Sequence, residues 1–442
     1  MKRFIILIFS MLIYSVPSGA QVREFNIGAR NNSIIRSVDD EYVLIYTQPV
    51  VDSGFFILYK KYDNTALAIS LPIKWEIRDV RIHNGDEAYF CGTDGSRGLI
   101  GMFDISQFFF GNVGINYTIF SWSSLGYVWP TDLKRLDLYE DGTHVHMAMA
   151  GASLWHYLTH LHNTTLVSAY FDGSDWNWVG YPNKDLYMQF TDVACLDDII
   201  VAVGTDDNGT GCYIKTFEKL PEFPKYPLAI NDVIKLNYDD PQGTVLVTHR
   251  SDNTAILSQF NRGTSGIGTV FHQVPFSPSS GLPTMTLIDT WRSSPPATLP
   301  FVSMWQMLEL NWDVDNAWLL QKAEYAVSPI SGIADWLLKV PVGAPSVIGQ
   351  RWNPHQCNAQ SMDLLPIAHN PWLSGSNPLL TIYEPMWQGM DGHRYFFSNL
   401  GFDYGSAPWI TRDIDDGWDY NLESNIPKDM PVFDVKVILE CE

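Results

Sequence analysis

Five of the chain's eleven histidines fall within residues 143–162: His144, His146, His156, His160 and His162. If Gly151-Ala152-Ser153 is a three-residue turn between two strands, period-2 alternation puts all five on one face, with His144 opposite His160. Opposed and diagonal side chains on a sheet reach one another. Three imidazoles from among His144, His146, His156 and His160 would then meet a divalent ion such as Zn²⁺, with one position open to water. The same face carries Ala148, Ala150, Leu154 and Leu158. That company also fits a packing surface whose histidines are hydrogen-bonded fillers. The expectation is therefore no cofactor, with a divalent metal at this hairpin as the alternative.

Aromatic rings are the second candidate. Trp155, Trp176 and Trp178 lie near expected turns, where an exposed indole face stacks on a sugar ring and a covered one fills a gap between sheets. Carboxylates are less selective. Asp39-Asp40, Asp197-Asp198, Asp206-Asp207 and Asp239-Asp240 sit between strand-like runs, where aspartate caps backbone N–H groups of turns. A glycosidase needs two carboxylates about 5 to 10 Å apart across a cleft. Nothing singles out such a pair among 49 acidic residues. The chain has no Gly-x-Ser-x-Gly elbow, no phosphate-binding Gly-x-x-x-x-Gly-Lys-Ser/Thr loop and no His-Glu-x-x-His. No catalytic residue is assigned.

The elements that must position these residues repeat. Residues 79–105 and 192–218 share an opening Asp-Val strand, an acidic turn, a strand ending Gly-Thr-Asp, a glycine-bearing turn and a third strand. Gly92 and Gly204 lie 112 positions apart, and a further copy sits midway at 136–162, around Gly151. The rhythm extends upstream to 34–60 and downstream to 233–260, then more loosely to 284–305 and 361–397. The last spacing is long, which suggests an insertion around 330–347, where 333–340 is the best helix candidate. Residues 24–28 and 432–440 read as terminal strands.

Repeats of about 40 to 60 residues with three or four short strands resemble the β-propeller architecture. The resemblance implies an all-β fold spanning 21–442 as one domain, with seven blades, or alternatively six or eight. It also implies that the N- and C-terminal strands close one blade. The Trp-Asp ending of WD40 repeats is missing. Asp172-Gly173-Ser174-Asp175-Trp176 and Asp416-Gly417-Trp418 resemble the Asp-box turn of sialidase-like propellers without its full spacing. They are expected to be tight turns with glycine at positive φ.

Composition narrows the function. With 46% hydrophobic and 17% charged residues the chain is a folded protein, not a disordered one. A net charge of −21 disfavours nucleic acid as a partner. Met1-Lys2-Arg3, the apolar run 4–16 and the small residues before a cut after Ala20 have the layout of a signal peptide. The mature chain is expected to be secreted, periplasmic or surface-associated, with no transmembrane segment. Five cysteines leave at least one thiol unpaired, and Cys195 and Cys212 are expected not to bridge. Three function classes follow: a module binding a glycan or a partner protein, a polysaccharide hydrolase or lyase, and a structural part of a surface assembly. The first is the leading expectation, and enzymatic activity is not the favoured reading.

Overall fold

The computed structural model describes residues 21–26, 31–39, 41–50, 53–60, 66–111, 113–124, 127–129, 131–154, 162–183, 188–196, 199–206 and 212–218. Beyond these it describes 234–235, 241–249, 254–263, 266–275, 286–292, 301–312, 316–327, 330–341, 350–352, 358–366, 376–384, 393–400 and 432–436. The expected signal peptide, Trp155, His156, His160, Cys357, Cys441 and Asp416-Gly417-Trp418 lie outside the described residues.

Consecutive strands pair antiparallel into four-stranded sheets at 31–70, 76–120, 131–183, 188–235, 241–292 and 301–352, numbered here sheets 1 to 6. Sheet 7 joins Asn358–Pro366, Ser376–Glu384 and His393–Leu400 to Gln21–Asn26 and Val432–Lys436. The first strands of these sheets neighbour one another in turn, and that of sheet 7 returns to that of sheet 1. The result is an all-β propeller. Gln21–Asn26 runs antiparallel to His393–Leu400 and parallel to Val432–Lys436, so strands from both ends of the chain share one sheet. Among the described residues no helix is long and apolar enough to cross a membrane.

The apolar clusters lie in the seams between sheets. Tyr46 and Phe56 of sheet 1 pack with Phe90 and Phe103 of sheet 2, with Phe56 5.0 Å from Phe103 between ring centroids. Sheets 2 and 3 share Met102, Phe120, Leu133 and Met149, and sheets 3 and 4 share Ala148, Leu166, Phe190 and Phe217. Each sheet is too thin to bury both faces alone, and radial neighbours cover them.

One local device repeats. The first strands of sheets 2, 3 and 4 each bulge, with Arg78, Lys134 and Thr191 as the extra residue. Opposite each bulge stands a glycine: Gly92 across from Ile77, Gly151 from Leu133 and Gly204 from Phe190. A Cβ on Gly92 or Gly151 would run into the carbonyl oxygen of Glu76 or Asp132. This explains the glycine spacing, and it corrects the expected turn at Gly151-Ala152-Ser153. Those residues lie inside the strand Val145–Leu154, and the third strand is His162–Phe171, with Leu154 opposite His162.

Two other expectations shift by one strand. Residues 286–292 close sheet 5, whereas 301–312 open sheet 6, so the looser sixth repeat straddled two sheets. Likewise Ile234–Lys235 closes sheet 4, not opens sheet 5. The helix candidate 333–340 lies within the strand Ile330–Pro341, which pairs along its whole length with Asn316–Val327. Pairing with a neighbour overrides a short helical pattern.

Cys195 lies opposite Ile200 and Cys212 opposite Thr205 on the strand between them. Five residues along a strand are about 17 Å, beyond the reach of a disulfide. Cys195 and Cys91 are buried thiols that form no disulfide. Burial, reinforced by the Asp79 and Asp132 carboxylates, pushes the Cys91 thiol well above its usual range. In native protein both cysteines are expected to resist iodoacetamide and to label only after denaturation. Peptide mass spectrometry showing native labelling of Cys91 at a free-thiol rate would contradict this burial.

Candidate functional site

The buried carboxylates join sheets together. Asp79 follows the bulge of sheet 2, and its Oδ1 accepts from Val80 N–H at 2.8 Å. Its Oδ2 accepts from Leu136 N–H in sheet 3 at 3.0 Å. Asp192 repeats the arrangement in sheet 4, accepting from Val193 N–H at 2.9 Å and from Val247 N–H of sheet 5 at 3.0 Å. Asp137 of sheet 3 accepts from Cys195 N–H of sheet 4 at 2.7 Å. These side chains hook each inner strand to the next.

The charges around two of the hooks differ. Arg36 of sheet 1 is buried, lies 2.5 Å from Asp79 Oδ1 and also donates to the Ile35 carbonyl. Burial opposes ionisation of Asp79, but Arg81, Arg36, Arg135 and the Leu136 N–H together hold it at about 2. Arg36 stands four positions past Asn32, the extra residue of the bulge in the sheet before Asp79. The same register position in the sheet before Asp192 is Leu138. Burial lifts Asp192 to about 7, because Arg135, Arg81 and the two N–H donors do not offset it.

An acid whose folded pKa is raised favours folding when protonated. The Asp192 contribution is therefore fully present below about pH 4 and is lost as pH rises towards 7. Asp192→Asn is expected to flatten the fall in denaturation midpoint across that window. An unchanged slope would refute the assignment.

The surface of interest is the rim where first strands turn into second strands and third into fourth. Here Asp141 Oδ1 accepts from Thr143 N–H, Thr143 Oγ1 and His144 N–H at 2.8, 2.6 and 2.8 Å. Asp172 Oδ1 accepts from Ser174 N–H, Ser174 Oγ and Asp175 N–H at 2.9, 2.8 and 2.9 Å. Gly142 and Gly173 take φ of 88° and 95° in these turns. Burial opposes ionisation of Asp141, yet bonds from Thr143, His144 and His146 hold it far below the usual carboxylate range.

The histidines pack into this rim. His146 Nε2 lies 2.7 Å from Asp141 Oδ2, and its ring stacks on Tyr139 at 4.8 Å and 11°. Burial lowers the His146 pKa despite the adjacent carboxylate. His144 lies 4.6 Å from Tyr170 and 6.4 Å from His146 between ring centroids. His144 and His146 are thus brought together, while His156 and His160 lie outside the described residues. Among the described residues no three histidine, cysteine or acidic side chains form a metal-binding group.

Two of the tryptophans sit in a seam. Trp178 packs on Phe120 of sheet 2 at 4.6 Å and Trp176 on Phe171 at 5.6 Å, both against the cluster between sheets 2 and 3.

Sequence reasoning missed the most exposed aromatics among the described residues. After the third strand of sheet 2 a 3₁₀ turn, Ile105–Phe110, buries Ile105 and Phe108 and leaves Phe109 53% and Phe110 81% exposed. Asp104 Oδ1 caps Ser106 N–H at 2.7 Å, and Gly111, at φ 70°, closes the turn by donating to Phe108 O. Gln107 Oε1 accepts from Gly114 N–H at 2.6 Å, and Ile105 N–H donates to Asp86 O at 2.8 Å. Phe109 meets Tyr42 of sheet 1 edge-on at 5.4 Å. The available signal was the run Phe108-Phe109-Phe110 between Asp104 and Gly111, a capped turn with two rings more than its core takes.

No family model and no curated protein matches the sequence. Among solved structures, the chain is similar to the WD40 domain of SCAP from fission yeast at 7% identity and TM-score 0.43, covering 88% of this chain and 99% of that one. It is similar to a Penicillium chrysogenum α-L-arabinanase complexed with arabinobiose at 12% identity and TM-score 0.34, over 71% of this chain and 90% of that one. A prolyl endopeptidase structure matches at 9% and 0.38, over 85% of this chain and 49% of that one. Likeness this remote carries no functional inference, and the propeller fold rests on the sheets themselves.

Proposed function

We propose that this chain is an exported, seven-bladed propeller, one domain over 21–442, that binds a partner protein or glycan and does not transform a substrate. The observation that carries this reading is the 3₁₀ turn. Its backbone is fixed at both ends, its inner side chains Ile105 and Phe108 are buried, and it still presents Phe109 and Phe110 to solvent. Rigid exposed aromatics are the usual anchors of binding surfaces. The buried Asp79 and Asp192, the half-buried Asp137 and the turn-forming Asp141 and Asp172 meanwhile serve the scaffold.

A glycan array probed with the mature chain, alongside reducing-sugar assays on polysaccharides and co-purification from the native host, tests this reading. The expected result is a retained protein or glycan ligand with no release of reducing ends. Catalytic turnover of a polysaccharide would overturn it. Export has its own test: N-terminal sequencing of the extracytoplasmic protein is expected to begin at Gln21.

A further inference from the structure

We propose that the rim patch of Tyr42, Leu67, Phe109 and Phe110 docks a cationic segment of a partner protein, an apolar anchor flanked by lysine or arginine. This deepens the binding reading above and rests on it. The 3₁₀ turn neighbours the outer strand of sheet 1, Ala66–Ser70, on which Leu67 is 40% exposed. Tyr42 supports Phe109 from the same sheet. The two phenyl rings and Leu67 thus form the apolar part of a patch that spans sheets 1 and 2.

Charge identifies the occupant. Asp39 and Glu41 flank the patch beside Tyr42 and are exposed, as is Asp86, whose carbonyl holds the start of the 3₁₀ turn. Asp104 caps the same turn. Among the described residues Lys60 brings a cation to the patch, its Nζ 6.0 Å from the Tyr42 ring centroid. An apolar centre within an acidic border, on a chain of net charge −21, favours a basic partner and repels an anionic membrane. Carboxylates around the rings also favour lysine and arginine over the hydroxyl-rich faces of a neutral glycan.

The test is selection of a phage-displayed library of random short peptides on the full mature chain at low ionic strength. Counter-selection uses Phe109→Ser/Phe110→Ser, and Glu41→Lys/Asp86→Lys serves as the charge control. All four positions are on the surface, and matched thermal unfolding confirms that the variants fold. Enriched peptides are expected to pair an aromatic or aliphatic anchor with net positive charge. Each double variant should weaken their binding by about tenfold or more. Peptides that bind the Phe109→Ser/Phe110→Ser variant equally well would overturn this docking surface while leaving the binding reading intact. Failure to enrich any peptide, or enrichment of acidic ones only, would also overturn it. Turnover in the polysaccharide assay is what would remove the underlying reading instead.

Discussion

Asp79→Asn is expected to lower the unfolding free energy by about 3 to 5 kcal/mol at neutral pH, the cost of breaking a buried ion pair by removing one member while the other charge stays buried. The buried charge is Arg36, whose side chain is 3% exposed, against 0% for Asp79. The substitution also places an amide donor where the carboxylate accepts from Val80 and Leu136 N–H. Arg36→Met combined with Asp79→Leu should recover part of the loss, because it removes both charges while the two N–H groups stay unpaired. Guanidinium titration of the three proteins checks this, and a loss below about 1 kcal/mol would place the pair among weak surface contacts.

The pH dependence has a definite sign. The folded carboxyl of Asp79 titrates at about 2 and its ordinary value is 3.8. Its contribution is therefore complete above about pH 4 and is lost as pH falls through 2, opposite in direction to Asp192.

Gly92→Ala should cost about 3 kcal/mol, at the upper end for overpacking, because the obstacle is backbone. The added methyl would overlap the Glu76 carbonyl oxygen and lie 3.0 Å from Ile77 Cα, so the bulge itself must move. Gly95 supplies the contrast three residues later. It sits at φ 91° with nothing within 4 Å of a Cβ, so Gly95→Ala should cost only the roughly 1 to 2 kcal/mol of a left-handed alanine. Equal midpoints for the two variants in denaturation would show that the bulge accommodates a side chain.

Much of the fold was legible because its signals are local. Glycine at 92 and 151 marks a backbone contact made within one sheet, and that requirement survives in the sequence as a spacing that Gly204, also opposite a bulge, continues. Asp-Gly turns at Asp141 and Asp172 are equally local, since each carboxylate caps N–H groups two and three residues ahead. Local signals also misled. Gly151 reads as a turn because glycine punctuates loops, but inside a strand it also marks a close backbone approach. That reading set the wrong register for the histidines. In sheets 5 and 6 the strands run long, up to 12 residues, and the repeat phase slipped by one strand.

The sequence by itself determined the all-β class, the repeat and the turn chemistry, all set by interactions within a few residues or within one hairpin. Only the tertiary structure decided what the repeated Asp-Val does, because Asp79 and Asp192 meet N–H groups 57 and 55 residues away in the next sheet. It alone made one of these two alike residues a deep ion-pair partner and lifted the other to about 7, because Arg81, Arg36 and Arg135 outweigh burial at Asp79 whereas Arg135, Arg81 and the N–H donors do not at Asp192. It also decided which of three adjacent phenylalanines the core would take. Phe108 fills the seam, and the closed packing of sheets 1 and 2 leaves Phe109 and Phe110 at the surface.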